Sequence, residues 1–338
     1  MDKGIQRPAV RNIAGRLRFW NALPAMRPAL KLISNYLHAW SFVRVKDAPA
    51  RARIAFLLRS SRIFLFCRDH IELCGSNVYA NYVVPTGTYD LFPHLSRRYY
   101  LSKDLNLSQR VQCLLFHCRY EEASFDAAYK QQVYSDGGLL LWERIVDGST
   151  FKIRLVLADR YAAEGDLSVS LTVDNERLHS VSFSWVTGEL AGGAPVGMFI
   201  AANQGRWRKD HEYHDKFNAA FPQNSPNFAC YAALQGVAHA VGASEMRAVS
   251  SRRQVCHTPD DMRHFDNAYE SFWETVGGVA QPSGDYVLPV PQPMKPLSEV
   301  AAKHRKRAAN RRATLNEISE GAFRAIGAHF HGVPLQRR

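Results

Sequence analysis

Between Leu139 and Trp185 apolar and polar side chains alternate with a period of two, in short runs separated by turn residues. Leu139–Arg144 and Phe151–Leu157 are the first two runs, and Gly148 in the intervening Val146-Asp-Gly-Ser149 predicts a hairpin turn. Leu167–Val173 alternates apolar with small polar residues, as a half-buried strand does, and Asp174-Asn175 turns it into the run Leu178–Trp185. These runs predict antiparallel neighbours. A further strand, Pro195–Ala202, ends in Asn203-Gln204-Gly205-Arg206, after which the period changes. Helices are expected around Trp207–Ala220 and Asn227–Val241, with Gly242 where a helix end favours a left-handed residue. A short strand at Glu245–Ser250, a helix at Asp266–Val276 stopping at Gly277-Gly278, and an extended Asp285–Val290 complete the series. The expectation over residues 136–296 is an α/β (α+β) core, with a largely antiparallel mixed sheet flanked by helices.

The flanking segments follow a helical period. In Pro28–Trp40, Leu30, Ile33, Leu37 and Trp40 fall on one face, so residues 1–50 read as a basic segment carrying an amphipathic helix. That stripe predicts either a helix packed on the rest of the chain or an interfacial anchor; packing is the expectation. Residues 51–135 read as mostly helical, with a turn-rich interval at Val84-Pro-Thr-Gly-Thr88. In residues 297–338, Leu297, Val300, Leu315 and Ile318 bracket a basic run at near-helical spacing, predicting a basic C-terminal helix and tail.

Charge sharpens this picture. Of 338 residues, 46% are hydrophobic and 22% charged, which is globular rather than disordered, and the formal net charge is +12, concentrated toward both ends. Lys303, Arg305, Lys306, Arg307, Arg311 and Arg312 form the densest run and are the candidate anion-binding residues. The expected partner is an anionic envelope component or membrane surface. Nucleic acid is the alternative polyanion, but no helix-turn-helix, zinc-finger or RNA-binding signature accompanies the run.

The six cysteines show no framework spacing, and no apolar leader or membrane-length apolar run is present, so the expectation is a reduced chain, cytoplasmic or peripheral on the inner membrane face. His211 and His214 stand three apart on a predicted helix, too few by themselves for a metal site, and none is expected. Cys113 and Cys118 read as small buried hydrophobes.

Several segments occur in one order: Glu164–Leu171, Ser182-Phe-Ser-Trp185, Gln204-Gly205, Ala248-Val-Ser250, Tyr269–Gly278, Leu288-Pro289, and Lys306-Arg307 through Arg311-Arg312. In this the chain resembles the VirK/YbjX family of bacterial proteins over roughly residues 90–320. It departs from that pattern at Asp215–Pro226 and at Ser251. The resemblance implies a role in virulence, surface-protein display and tolerance of cationic antimicrobial peptides. The order of strands and helices is in turn similar to the GNAT acyltransferase layout. That likeness implies that Gln204, Gly205 and Arg206 would hold the phosphates of a coenzyme A thioester, and that Glu164 as base and Ser250 or Gln204 as hydrogen-bond donor to the oxyanion would act in acyl or aminoacyl transfer. A solvated turn carboxylate is the plainer expectation for Glu164, and a loop hydroxyl for Ser250. A non-catalytic adaptor and a nucleic-acid regulator are the alternatives to transfer.

Overall fold

A computed structural model describes residues 28–45, 50–86, 90–159, 163–205, 211–257 and 269–332. The chain begins with helices: α1 (Pro28–Val45), α2 (Ala50–Ser60), α3 (Cys67–Gly75), the single turn α4 (Pro93–Ser96), α5 (Leu107–Ser124) and α6 (Ala127–Tyr134). Strands β1 (Leu139–Val146), β2 (Ser149–Leu157), β3 (Leu167–Val173), β4 (Glu176–Val186) and β5 (Gly197–Gly205) follow in succession. After α7 (His211–Ala220) and α8 (Pro226–Ala240) come β6 (Glu245–Val249), α9 (Glu270–Thr275), β7 (Val279–Ala280), β8 (Asp285–Pro289) and the long α10 (Ala302–Gly327).

Among the described residues the eight strands form one sheet in the order β1-β2-β3-β4-β5-β6-β8-β7. Every neighbouring pair is antiparallel except β5 and β6. The fold is therefore α/β with a mixed, mostly antiparallel sheet flanked by helices. Local chemistry sets the meander. Asp147 and Gly148 have φ of 49° and 80°, and Asp174 and Asn175 have 51° and 71°. Positive φ at both central residues gives the turn whose twist matches that of the strands it joins.

Registers place Phe151, Ile153, Leu155, Leu167, Val169, Val181 and Phe183 on one face, all fully buried. That face is covered by helices. The rings of Phe217 on α7 and Phe221 just after it meet Phe151 at 6.2 and 5.0 Å, and α8 packs on β3, β4 and β5. Ala229 through Ala238 of α8 are all buried, because α10 covers its outer side and continues to β1. The two helices approach backbone to backbone at Gly236, where an added Cβ would lie 2.1 Å from the Ser319 carbonyl oxygen. The opposite sheet face is polar, with Ser168, Ser170, Ser180, Ser182 and Gln204 brought into one field by register.

Helix α5 starts with a capping box: Asn106 accepts from the Gln109 N–H, and the Gln109 side chain accepts from the Asn106 N–H. It docks on β4 through Glu121, which accepts from Trp185 Nε1 at 2.6 Å, Tyr134 at 3.0 Å and Tyr129 at 3.2 Å. Burial pushes the Glu121 carboxyl up to about 7, against the pull of these donors.

One sequence expectation is revised here, and another falls partly outside the described residues. The α1 helix forms, but it packs through Leu32 and Asn35, while Leu30, Ile33 and Leu37 of the predicted packing stripe are exposed. The side chain of Trp40 lies outside the described residues, as do residues 258–268, so the helix expected at Asp266–Val276 is described only as α9. Among the described residues no helix is long and apolar enough to cross a membrane.

Candidate functional site

The site begins where two strands part. β6 runs beside β5 only at Phe199↔Arg247 and Ile200↔Ala248, whereas β4 continues to pair with β5 as far as Gly205. A bulge between the pairs Ser182↔Ala202 and Phe183↔Ile200 bends β5 at the same level. The carboxyl ends of two parallel neighbours thus open onto a cleft, the place where open α/β sheets bind ligands.

Three segments supply its side chains. The first is the turn before β3, where Ala163 and Gly165 have φ of 60° and 134°. Gly165 is required there twice, since a Cβ would also meet the Phe183 nitrogen at 2.9 Å. Asp166 pins the turn: its N–H donates to Ser184 Oγ at 3.0 Å, and its Oδ2 accepts from Ser184 at 2.7 Å and Tyr100 at 2.5 Å. The second segment is the end of β5, carrying Asn203, Gln204 and Gly205. The third follows β6, where the carbonyl of Ser250 accepts from the N–H groups of Arg253 and Gln254, folding the chain back and delivering Gln254 and Cys256.

They converge on Glu164, which is 8% exposed. Its Oε1 accepts from Gln204 Nε2 at 2.6 Å and from Gln254 Nε2. Gln254 is itself fixed, its Oε1 accepting from the Cys256 N–H at 2.6 Å, and the Cys256 thiol donates to the Glu164 carboxylate. Behind them the Tyr269 hydroxyl accepts from the Asn203 N–H at 3.3 Å, and the His179 imidazole donates to Asn203 Oδ1 at 2.7 Å. The open side is a cavity of about 150 Å³ lined by Gly205 and by the polar side chains of Glu164, Gln204, Ser168, Ser170, Ser180 and Ser182, with Asp159 and Arg177 as its other charged groups.

The electrostatics follow from dryness. Desolvation raises the Glu164 carboxyl above its ordinary range, opposed by the hydrogen bonds from Cys256, Gln254 and Gln204. Cys256 is exposed as a residue, yet desolvation of its thiol and then the adjoining carboxylate push it up to about 12. That thiol is a proton donor to Glu164 and not a ready nucleophile. Burial lowers His179 to about 4, leaving it neutral, and raises the Tyr269 hydroxyl. The arrangement is a single desolvated carboxyl, oriented by two carboxamides, that can accept a proton from a group entering the cleft.

Of the residues singled out in the sequence, Glu164, Gln204 and Gly205 come together here. Glu164 is buried, not a solvated turn carboxylate, and the Gln204 amide is spent on holding it instead of facing an incoming oxyanion or phosphate. Ser250 acts through its backbone, and among the described residues its hydroxyl is not one of the groups around Glu164; the neighbouring Ser251 hydroxyl donates to Glu270 at 2.8 Å. Arg206 lies outside the described residues, as does the His211 side chain. Gln254 and Cys256 carry no motif, and the part Tyr269 plays shows only once β5 and α9 are in contact.

The basic run is sorted by α10. Arg307, Arg311 and Arg312 line a second cavity, of about 450 Å³, whereas Lys303 and Lys306 are exposed and do not line it. Arg305 has an internal duty: its guanidinium donates to the carbonyls of Val300 at 2.8 Å and Ser298 at 3.1 Å, closing the start of the helix. The six cations are therefore not one surface.

Comparison with known proteins covers this whole arrangement. Residues 50–322 match the model of a family described as protein of unknown function (DUF535). The "Uncharacterized protein YbjX" of Escherichia coli (strain K12) is 24% identical over 229 residues, spanning 65% of this chain and 68% of that protein. The family match takes in every strand of the sheet and each residue around Glu164, in line with the resemblance carried by the sequence motifs, and the chain belongs to the DUF535 family.

Proposed function

We propose that the chain is a transferase that moves an acyl group from a thioester of the coenzyme A class to an amine or hydroxyl of an envelope component, with Glu164 as general base. The observation that carries this is the Glu164 carboxyl: desolvated, held by Gln204 and Gln254, and set at the mouth of two parting parallel strands. We read the mostly antiparallel sheet, with its single parallel pair, as a GNAT-like layout, and that reading supports the donor class. The envelope as the source of the acceptor rests on the VirK/YbjX resemblance. In the proposed step the acceptor nitrogen or oxygen bonds to the thioester carbonyl carbon and its proton passes to Glu164. The carbon–sulfur bond then breaks, and the departing sulfur takes up the proton that Glu164 received, which restores the carboxylate.

Isothermal titration with coenzyme A and acetyl-coenzyme A, followed by thiol release in the presence of a polyamine, tests the reading. Glu164→Gln should bind the donor as the parent does and lose thiol release by roughly 100-fold or more, the range of general-base contributions. Absence of saturable binding by either compound would sink the reading.

A second reading, a peripheral adaptor on an anionic membrane, is favoured by one observation. Leu37, Leu58 and Leu65, at 59%, 67% and 76% exposure, stand out from α1, α2 and the turn after it together with Leu30, Ile33 and Ile54. The same helices and the one that follows carry the exposed Lys31, Arg51 and Arg68, a mixture that suits an interfacial surface.

A further inference from the structure

The larger cavity lies away from Glu164, between the first half of α10, the segment Gln292–Lys295 and the start of α8. Its wall is one helix face: His304, Arg307, Arg311 and Leu315 recur at steps of three and four, so a single stripe of α10 looks into it. Arg312 and Lys295 close the side, held together by a bond from the Arg312 guanidinium to the Lys295 carbonyl. The floor is apolar, made by Phe228, Pro293 and Met294. The Arg311 guanidinium sits 4.3 Å over the Phe228 ring.

The charge is unbalanced. No aspartate or glutamate lines the cavity, and among the described residues none is within ion-pair distance of Lys295, Arg307, Arg311 or Arg312. Burial lowers Arg311, and the neighbouring Arg307 charge lowers it further. Guanidinium groups converging on a concave site without carboxylates make a receptor for phosphate, whose oxygens they engage in forked pairs. A volume of about 450 Å³ exceeds the needs of a bare ion and is within the range of organic ligands.

We propose that this cavity binds an organic phosphate, with Arg307, Arg311 and Arg312 on the phosphate and the apolar part of the ligand resting on Phe228, Pro293 and Met294. The site is independent of the transferase reading, and Glu164→Gln leaves it unchanged.

The test is isothermal titration of the full chain at low ionic strength, with inorganic pyrophosphate as one probe and monomeric lysophosphatidic acid as the other. Pyrophosphate should occupy one saturable site. The double variant Arg307→Gln/Arg311→Gln should weaken it by tenfold or more, while Lys303→Gln/Lys306→Gln, which removes the same charge from outside the cavity, should change it less than twofold. Should the first double variant lose its fold, Arg307→Gln alone, at an exposed position, gives the comparison. Tighter binding of lysophosphatidic acid than of pyrophosphate assigns the phosphate to a lipid, and equal or weaker binding assigns it to a soluble ester. Equal weakening by the two charge-matched variants, or no saturable site for either probe, overturns the proposal.

Discussion

Three hydrogen-bond donors would ordinarily keep a carboxyl ionised, yet at Glu121 burial outweighs them and the group stands at about 7 against a reference of 4.5. The folded chain therefore holds this proton over a range in which the unfolded chain has lost it. Stability falls as pH rises from 4.5 towards 7, by an amount on the order of 3 kcal/mol at full effect. His179 acts in the opposite sense: lowered to about 4 from 6.5, it adds stability as pH rises through that interval. The diagnostic quantity is thus a difference between proteins. Between pH 5 and 7 the thermal midpoint of Glu121→Gln should change in a more positive sense than that of the parent; equal slopes would show that Glu121 is ionised throughout. These side chains also mark how far sequence reading goes. Glu164 was visible as an acid before a strand, but Gln254 reaches it from 90 positions away and Trp185 reaches Glu121 from 64. No local pattern encodes a hydrogen bond across such a separation.

At the scale of elements, close approach of α8 and α10 depends on one missing methyl group. Gly236→Ala would drive a Cβ into the Ser319 carbonyl, which belongs to backbone and cannot rotate away. The expected cost is about 1–3 kcal/mol, as for other overpacking changes. Gly327→Ala, with nothing within 4 Å of its Cβ, is the control and should be neutral or slightly stabilising. Thermal melts of the two variants side by side check this, and equal midpoints would show that the helices can slide apart. Elements were legible in proportion to their local chemistry. The meander was read from alternation and from Asp-Gly and Asp-Asn turns. The two-residue β7 was not, because a strand that short has no period. For α1 the periodicity located an apolar stripe but could not say whether protein or solvent faces it; packing through Leu32 and Asn35 was decided by α3 and α2, which the helix contacts.

Over the whole molecule, seven of the thirteen exposed large apolar side chains among the described residues stand on α1, α2 and the turn after it, while Ile145, Val279 and Phe323 stand elsewhere. Under the adaptor reading the chain should co-sediment with phosphatidylglycerol vesicles and not with phosphatidylcholine vesicles. Leu37→Ser/Leu58→Ser should abolish this without lowering the melting temperature. Unchanged sedimentation of that variant would remove the support those residues give. Arrangement of the sheet has a kinetic consequence as well. β1 to β5 are joined by successive antiparallel pairings, each between strands adjacent in the chain, and such short loops close early in folding. Pairing of β5 with β6 must wait for α7 and α8 to cross over, and only then does Gln254 join Gln204 on Glu164. The carboxyl acquires its dry setting only with a long-range step, so a nascent chain that has finished its meander has a sheet but no chemistry to misdirect.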